Sequence, residues 1–285
     1  MAPILVIYNP IAGQRRGPRF RATLAALESQ GAQVVLQATQ KRGDAEAMAR
    51  EAARAGVYSV IAVAGGDGTI NEAANGLTEF PLQKLGIIPL GTANVLAQEI
   101  GLKPCPEVIA RTITATKSLT IYPGLLNERR FLLMVSLGLD SFVVSNLDSE
   151  MKKKIGPLAY VIGGIKAGLT YSFPSIQAEG KSCYGIIVAK AQHYGGPFIV
   201  APDVSLTQPN FQVLYLEKPG IIANLNYSWA ILRSSLARKV PSQILEQLEI
   251  IPPSNLACQV DGDEGLISSS LQIRVDKTPL SLLVP

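Results

Sequence analysis

Three short stretches of this sequence combine glycine with small polar side chains in a way that suits polyphosphate binding. They are Asn9-Pro10-Ile11-Ala12-Gly13, Gly65-Gly66-Asp67-Gly68-Thr69-Ile70-Asn71-Glu72 and Pro89-Leu90-Gly91-Thr92-Ala93-Asn94. Glycine leaves consecutive backbone N–H groups open to anionic oxygens, and a helix N-terminus beyond the loop adds its own donors. One such loop is as readily a tight turn; three in one sequence point to a nucleotide. Asp67 lies inside the richest of them, where a carboxylate repels phosphate unless a cation stands between, so Asp67 is the candidate ligand of a Mg²⁺ bridging phosphate oxygens. The alternative for Asp67 is a helix cap or an Asx turn. Thr69 and Asn71 offer a hydroxyl and an amide to the same phosphates, and Thr69 is also placed to N-cap the following helix. Neither G-x-G-x-x-G nor G-x-x-x-x-G-K-[ST] occurs, which argues against a dinucleotide Rossmann site and against a P-loop.

These stretches need elements to position them. Ile4 to Tyr8, Ala32 to Ala38, Ser59 to Ala64 and Leu85 to Leu90 are near-continuous apolar runs, as in parallel strands buried on both faces. Between them Pro18 to Ser29 and Asp44 to Ala55 carry Ala, Arg and Glu at helical spacing, with Gly31 and Gly56 as C-terminal stops. The alternation predicts an α/β, doubly wound sheet, in which ligands bind beyond the carboxyl ends of the strands, where all three glycine stretches fall. After about Pro123 the pattern becomes short strand-like runs broken by Gly, Pro and Ser: Phe131 to Val135, Cys183 to Ala191, Phe211 to Leu216 and Leu271 to Val275. A mainly antiparallel second domain is expected, interrupted by helical stretches at Leu158 to Leu169 and Ala223 to Arg238. The expected division is 1–123, 124–278 and a terminal segment 279–285.

Composition removes several classes. With 47% hydrophobic and 17% charged residues the chain should fold throughout, yet no apolar run is long enough to span a membrane. The start lacks a basic stretch ahead of its apolar run and does not read as a signal peptide, so a cytoplasmic location is expected. Cys105, Cys183 and Cys258 are odd in number and without metal-ligand spacing, which predicts reduced thiols. A formal charge of +4 without aromatic residues interleaved in a basic stripe argues against nucleic acid. The short basic clusters Arg15-Arg16 and Met151 to Lys154 read as solvated surface, with peripheral membrane contact as their second reading.

The motif Gly65-Gly66-Asp67-Gly68-Thr69 with Asn71-Glu72 and Gly76, between Asn9-Pro10…Gly13 and Pro89 to Asn94, resembles the catalytic domain of bacterial diacylglycerol kinase-like lipid kinases, in the diacylglycerol kinase and sphingosine kinase superfamily. The resemblance continues in family order through Thr39 with Gly43-Asp44-Ala45, Gly156 to Tyr160, Ala201-Pro202-Asp203, Val260-Asp261-Gly262-Asp263 and Pro279-Leu280. It implies an N-terminal domain similar to those of phosphofructokinases and NAD kinases, a C-terminal β-sandwich, and a terminal segment returning to the first domain. It also implies that Asn9, Thr39, Gly66 to Glu72 and Thr92 hold ATP and Mg²⁺ in a cleft between the domains, with a lipid alcohol as acceptor. The family's Asp-Gly-Glu motif, whose Glu is the general base, corresponds here to Asp261-Gly262-Asp263, with Glu264 next; Asp263 is the implied base. From the residues alone, Val-Asp-Gly-Asp between apolar runs is equally a type I′ hairpin turn.

Three further departures stand out. Val95 and Tyr122 occupy positions where the family carries acidic residues, and Thr207-Gln208-Pro209 replaces an Asp-Asp-Gly stretch used for a structural Mg²⁺. The expected activity is ATP-dependent phosphorylation of a lipid hydroxyl. An NAD kinase-like enzyme and a catalytically weak nucleotide- or lipid-binding homologue are the other readings.

Overall fold

A computed structural model describes residues 2–13, 16–138, 173–253, 256–265 and 270–285. The expected helix Leu158 to Leu169, the Gly156 to Tyr160 motif and the Met151 to Lys154 cluster lie outside the described residues. Two compact units are present: residues 1–122 with 277–285, and residues 123–276.

In the first unit, strands β1 (Ile4–Tyr8), β2 (Val34–Ala38), β3 (Val60–Gly65) and β4 (Lys84–Pro89) run parallel in the order β2-β1-β3-β4. Beyond β4 the terminal strand Leu280–Leu283 pairs parallel to it and antiparallel to β5 (Ser118–Ile121). Helices α1 (Pro10–Gly13), α2 (Gly17–Ser29), α3 (Asp44–Ala55), α4 (Asp67–Gly76), α5 (Val95–Glu99) and α6 (Pro106–Ala115) connect them. α3 ends where Gly56 takes φ +66°, a left-handed stop that costs glycine nothing. α3 and α4 pack so closely that a Cβ on Gly76 would meet the Glu46 carbonyl oxygen at 2.3 Å.

β3 and most of β4 are buried on both faces, as expected of central parallel strands. β2 is not. It is an edge strand with Val35, Leu36 and Gln37 exposed, so its apolar composition does not mean double-sided burial. Being apolar is compatible with an edge position; only the strand order decides coverage.

The second unit consists mainly of two six-stranded antiparallel sheets. One contains Gly124–Leu126, Arg129–Phe131, Ile176–Ala178, Lys181–Cys183, Gln247–Ile251 and Leu271–Val275. Gln247–Ile251 and Leu271–Val275 alternate buried and exposed residues, the mark of a sheet with one covered face. The other contains Met134–Gly138, Gly185–Ala189, Phe211–Leu216, Ser242–Leu245, Cys258–Val260 and Asp263–Glu264. Its central strands are buried throughout because both faces are covered. Ile187, Ala189, Leu214 and Leu216 pack with Ala230 and Leu236, while Tyr215, on the opposite face, carries Lys181 of the first sheet 4.5 Å from its ring centroid. This is a β-sandwich with a helical layer, α7 (Ile221–Leu232), outside one sheet.

Two expected strands are each two. Phe131 to Val135 divides into Arg129–Phe131 in one sheet and Met134–Gly138 in the other, and Cys183 to Ala191 divides at Tyr184. The expected helix Ala223 to Arg238 is α7, ending at Leu232, followed by a 3₁₀ turn at Leu236–Arg238. A buried ion pair, Arg130 Nε to Asp276 Oδ2 at 2.6 Å, and the bond from Asp276 N to Pro123 O close the unit where it begins and ends. All three cysteines are free; burial pushes the Cys183 thiol up to about 11 and the Cys258 thiol to about 12, so both stay protonated and unreactive near neutral pH.

Candidate active site

The glycine-containing stretches meet at the carboxyl edge of the first unit's sheet, joined by backbone bonds. Asn9 N donates to Ala64 O at 2.9 Å and Thr39 N to Tyr8 O at 2.9 Å, linking the chain after β1 and β2 to its neighbours. Leu90 N and Gly91 N both donate to Gly65 O, at 2.8 and 3.2 Å, tying the segment after β4 to the end of β3. Side chains reinforce this. Asn9 Oδ1 accepts the N–H groups of Ile11 and Ala12, capping α1, which opens at Pro10 and closes at Gly13; Asn9 Nδ2 donates to Thr69 Oγ1 at 3.3 Å. Thr69 is therefore not the N-cap of α4. The helix begins earlier, at Asp67 after the cap Gly66, with Gly68 and Thr69 inside its first turn.

Packing leaves no room for a side chain at Gly65 and little at Gly66. A Cβ on Gly65 would stand 2.7 Å from Thr69 Cβ, and one on Gly66 would stand 3.3 Å from Gly91 Cα. The two segments touch backbone to backbone at Gly66 and Gly91. Asn94 adopts φ +48° and donates from Nδ2 to Gly91 O at 2.7 Å, while its Oδ1 is buried without a hydrogen-bond partner. Thr92 between them is exposed, and in α4 the Asn71 side chain accepts from Asn75 Nδ2 at 3.1 Å with Glu72 half-buried beside it.

Asp67 is a helix cap, its alternative reading, but of α5 and not of the helix it begins. Its Oδ2 accepts from Val95 N at 3.0 Å and its Oδ1 from Leu96 N at 3.1 Å, so it caps α5 from the first residue of α4. These are first-turn N–H groups with no intrahelical acceptor, and the α5 cap residue Asn94 makes no side-chain cap bond of its own. The capping fixes the carboxylate. Among the described residues no three His, Cys, Asp or Glu side chains form a metal-binding group. The donor set thus does not suit a metal held by protein alone, but one fixed carboxylate fits a Mg²⁺ whose remaining ligands are phosphate oxygens and water.

Two arginines at this edge were not singled out by sequence. Arg19 Nη2 donates to Pro89 O at 2.6 Å at the end of β4, while Arg19 Nε and Arg16 Nη1 are buried without an acceptor. Desolvation lowers both guanidinium pKa values, and the Arg16 charge lowers that of Arg19 further. Buried cationic donors lacking acceptors suit an anion. Arg16 had read as solvated surface; the signal that could have found the pair is the spacing Arg16-x-x-Arg19 at the start of α2, which puts both on one helical face.

In the second unit the Val260 to Asp263 segment is a two-residue hairpin turn, with φ +50° at Asp261 and +88° at Gly262, as a type I′ turn requires. Asp261 is buried and accepts the N–H groups of Leu132, Leu133 and Met134 at 2.8, 2.8 and 2.9 Å. Asp263 and Glu264 follow the turn and are exposed. The turn and an accessible carboxylate at Asp263 are one arrangement, not alternatives.

Residues 3–124 match the family model of the diacylglycerol kinase catalytic domain. The chain is 28% identical over 271 residues to the diacylglycerol kinase of Staphylococcus carnosus (strain TM300), covering 91% of this chain and 88% of that one. It is 29% identical over 272 residues to that of Staphylococcus aureus (strain bovine RF122 / ET3-1), covering 91% and 85%. The chain is thus similar to diacylglycerol kinases along most of its length, and its residues 3–124 to their catalytic domain. Among solved structures, that of a diacylglycerol kinase from Bacillus anthracis str. Sterne matches with a TM-score of 0.72 at 21% identity, covering 100% of this chain and 97% of that one. A second structure from the same organism reaches a TM-score of 0.80 at 23% identity, covering 100% and 95%. At these identities the likeness establishes the fold.

In this structure the departures acquire local meaning. Val95 is the residue whose N–H binds Asp67, so its backbone is used while its side chain is buried. The segment that includes Thr207-Gln208-Pro209 directs backbone oxygens at a cation supplied by the chain. The fully buried Lys190 donates from Nζ to Ser205 O at 2.9 Å, Gln208 O at 2.8 Å and Leu206 O at 3.5 Å. Those oxygens are occupied by Lys190 and are not open to a metal.

Proposed function

We propose that this protein is a lipid kinase that transfers the γ-phosphoryl group of ATP to the hydroxyl of a membrane lipid alcohol, with diacylglycerol, named for the staphylococcal relatives, as first candidate. The observation that carries this reading is the convergence of Asn9, Thr39, Gly65 to Glu72 and Gly91 to Asn94 on the carboxyl edge of one parallel sheet, beside buried guanidinium N–H groups without an acceptor. Backbone N–H groups of the close-packed glycine segments bind phosphate oxygens, and Arg16 and Arg19 neutralise them. Asp67, fixed by its cap bonds, is the protein ligand of Mg²⁺. The ion supplies positive charge against the phosphates.

Asp263 accepts the proton of the attacking hydroxyl. Its support is the family's Asp-Gly-Glu motif and the turn, which leaves the carboxylate exposed. General-base assistance of this kind is worth about 10²- to 10⁴-fold in rate. The test is product analysis after incubation with Mg²⁺-ATP and separate acceptors: diacylglycerol, a sphingoid base and NAD. A phosphorylated lipid supports the reading, phosphorylated NAD replaces it with the related nucleotide chemistry, and no product from any acceptor contradicts it.

A further inference from the structure

Helix α7 presents its apolar side to solvent. Its inner face, Tyr227, Ala230 and Ile231, packs on the core under the second sheet. Its outer face carries Ile222, Leu225 and Trp229, which are 75%, 40% and 57% exposed and follow one another at helical spacing. A surface helix of a globular protein ordinarily turns charged residues outward; α7 has none between Ile221 and Leu232. Its surroundings are basic. Lys218 precedes it, and Arg233, Arg238 and Lys239 follow, all exposed, against the single exposed acid Glu217. Arg233 lies over the Trp229 ring, with its guanidinium carbon 5.6 Å from the centroid.

We propose that α7 is the helix by which this protein docks on an anionic lipid bilayer, lying in the plane of the surface with Ile222, Leu225 and Trp229 among the acyl chains and glycerol groups. Three features select this occupant. The outer face supplies exposed apolar area for the acyl boundary, and tryptophan and arginine are the side chains that settle at headgroup depth. The basic residues at both ends complement anionic headgroups. A second copy fits worse, because it brings the same basic residues flanking both ends of α7 and only one flanking acid, Glu217, to answer them. No described helix is long and apolar enough to cross a membrane, which agrees with in-plane docking. The assignment deepens the lipid-kinase reading but is measured independently of it.

Trp229 is the only tryptophan in the sequence, so its fluorescence reports on this face alone. Titration with phosphatidylglycerol vesicles should shift its emission to the blue and expose it to quenching by brominated lipid. Phosphatidylcholine vesicles should give less binding, and added salt should weaken the anionic case. The double variant Ile222→Asp and Leu225→Asp should lower vesicle partitioning by about tenfold or more while leaving phosphorylation of a dispersed short-chain diacylglycerol unchanged. Co-sedimentation without any change in Trp229 emission would overturn the proposal. So would no sedimentation with anionic vesicles, unaltered partitioning of the double variant, or a blue shift that tracks protein concentration without lipid, the sign of self-association. Loss of short-chain phosphorylation in the unaltered protein, with vesicle docking intact, would count against the kinase chemistry and not against the docking helix.

Discussion

A Cβ added to Gly91 would stand 2.5 Å from the Cα of Gly66 and 2.9 Å from Asn94 Oδ1. These two glycines hold the segments after β3 and β4 back to back, and the nearer obstacle is backbone, which cannot swing away. Gly91→Ala should therefore lower stability by about 1–3 kcal/mol and weaken ATP binding as the segments separate, measured by urea denaturation and calorimetric titration. Gly66→Asp adds a carboxylate beside the phosphates and should abolish ATP binding in a protein that still folds. Unchanged ATP affinity in a folded Gly66→Asp variant would remove the phosphate role from this segment.

Asp67→Asn separates two roles of one side chain. The amide keeps one acceptor but turns an NH₂ toward an N–H of α5, which should cost about 1–3 kcal/mol. If Asp67 also binds the nucleotide's Mg²⁺, the concentration of Mg²⁺ needed for half-maximal activity should rise severalfold. An unchanged Mg²⁺ requirement with only the stability loss would leave Asp67 as a helix cap.

The expected strands Ile4 to Tyr8, Phe211 to Leu216 and Leu271 to Val275 agree residue for residue with the structure, because each is bounded by residues that break a strand. Phe131 to Val135 was misread as one strand for a physical reason. The chain passes from one sheet to the other at Leu132 and Leu133, and the N–H groups freed there are satisfied by Asp261, far away in sequence, so no local turn residue marks the corner. The glycine segments of the site were legible because close contacts exclude a Cβ, with the Thr69 side chain at Gly65 and with the Gly66 backbone at Gly91. Which helix Asp67 caps, and the pairing of Arg16 with Arg19, were not, since both depend on which loops the fold brings together.

Arg19→Met preserves the aliphatic stem and removes the charge beside Pro89. Loss of a charge-assisted bond to phosphate, about 1.5–3 kcal/mol, corresponds to a KM for ATP raised by roughly tenfold to a hundredfold, with kcat less affected. Steady-state kinetics at varied ATP concentration measures this. A KM unchanged by the substitution would restrict Arg19 to its structural bond with Pro89 O.

Lys190→Met leaves the carbonyls of Ser205, Leu206 and Gln208 without their donor in a buried place and should destabilise the second unit by about 3 kcal/mol. In the unaltered protein, Mg²⁺ without nucleotide should leave Tm unchanged, because Lys190 already fills these oxygens. A Tm raised by several degrees on adding Mg²⁺ alone would show that a metal is held after all.

The most direct measurement is single-turnover transfer from ATP labelled in the γ-phosphate to diacylglycerol in mixed micelles. In the unaltered protein, label should move into the organic phase as a lipid phosphate monoester. Asp263→Asn should bind ATP normally yet slow this step by about 10²-fold or more, with Asp263→Asn combined with Glu264→Gln as the control for a substitute carboxylate. Label that stays in ATP, or passes only to water or NAD, would contradict the account of a lipid kinase acting on a lipid hydroxyl. Transfer at the unaltered rate in both variants would leave Asp263 only the first residue after a turn.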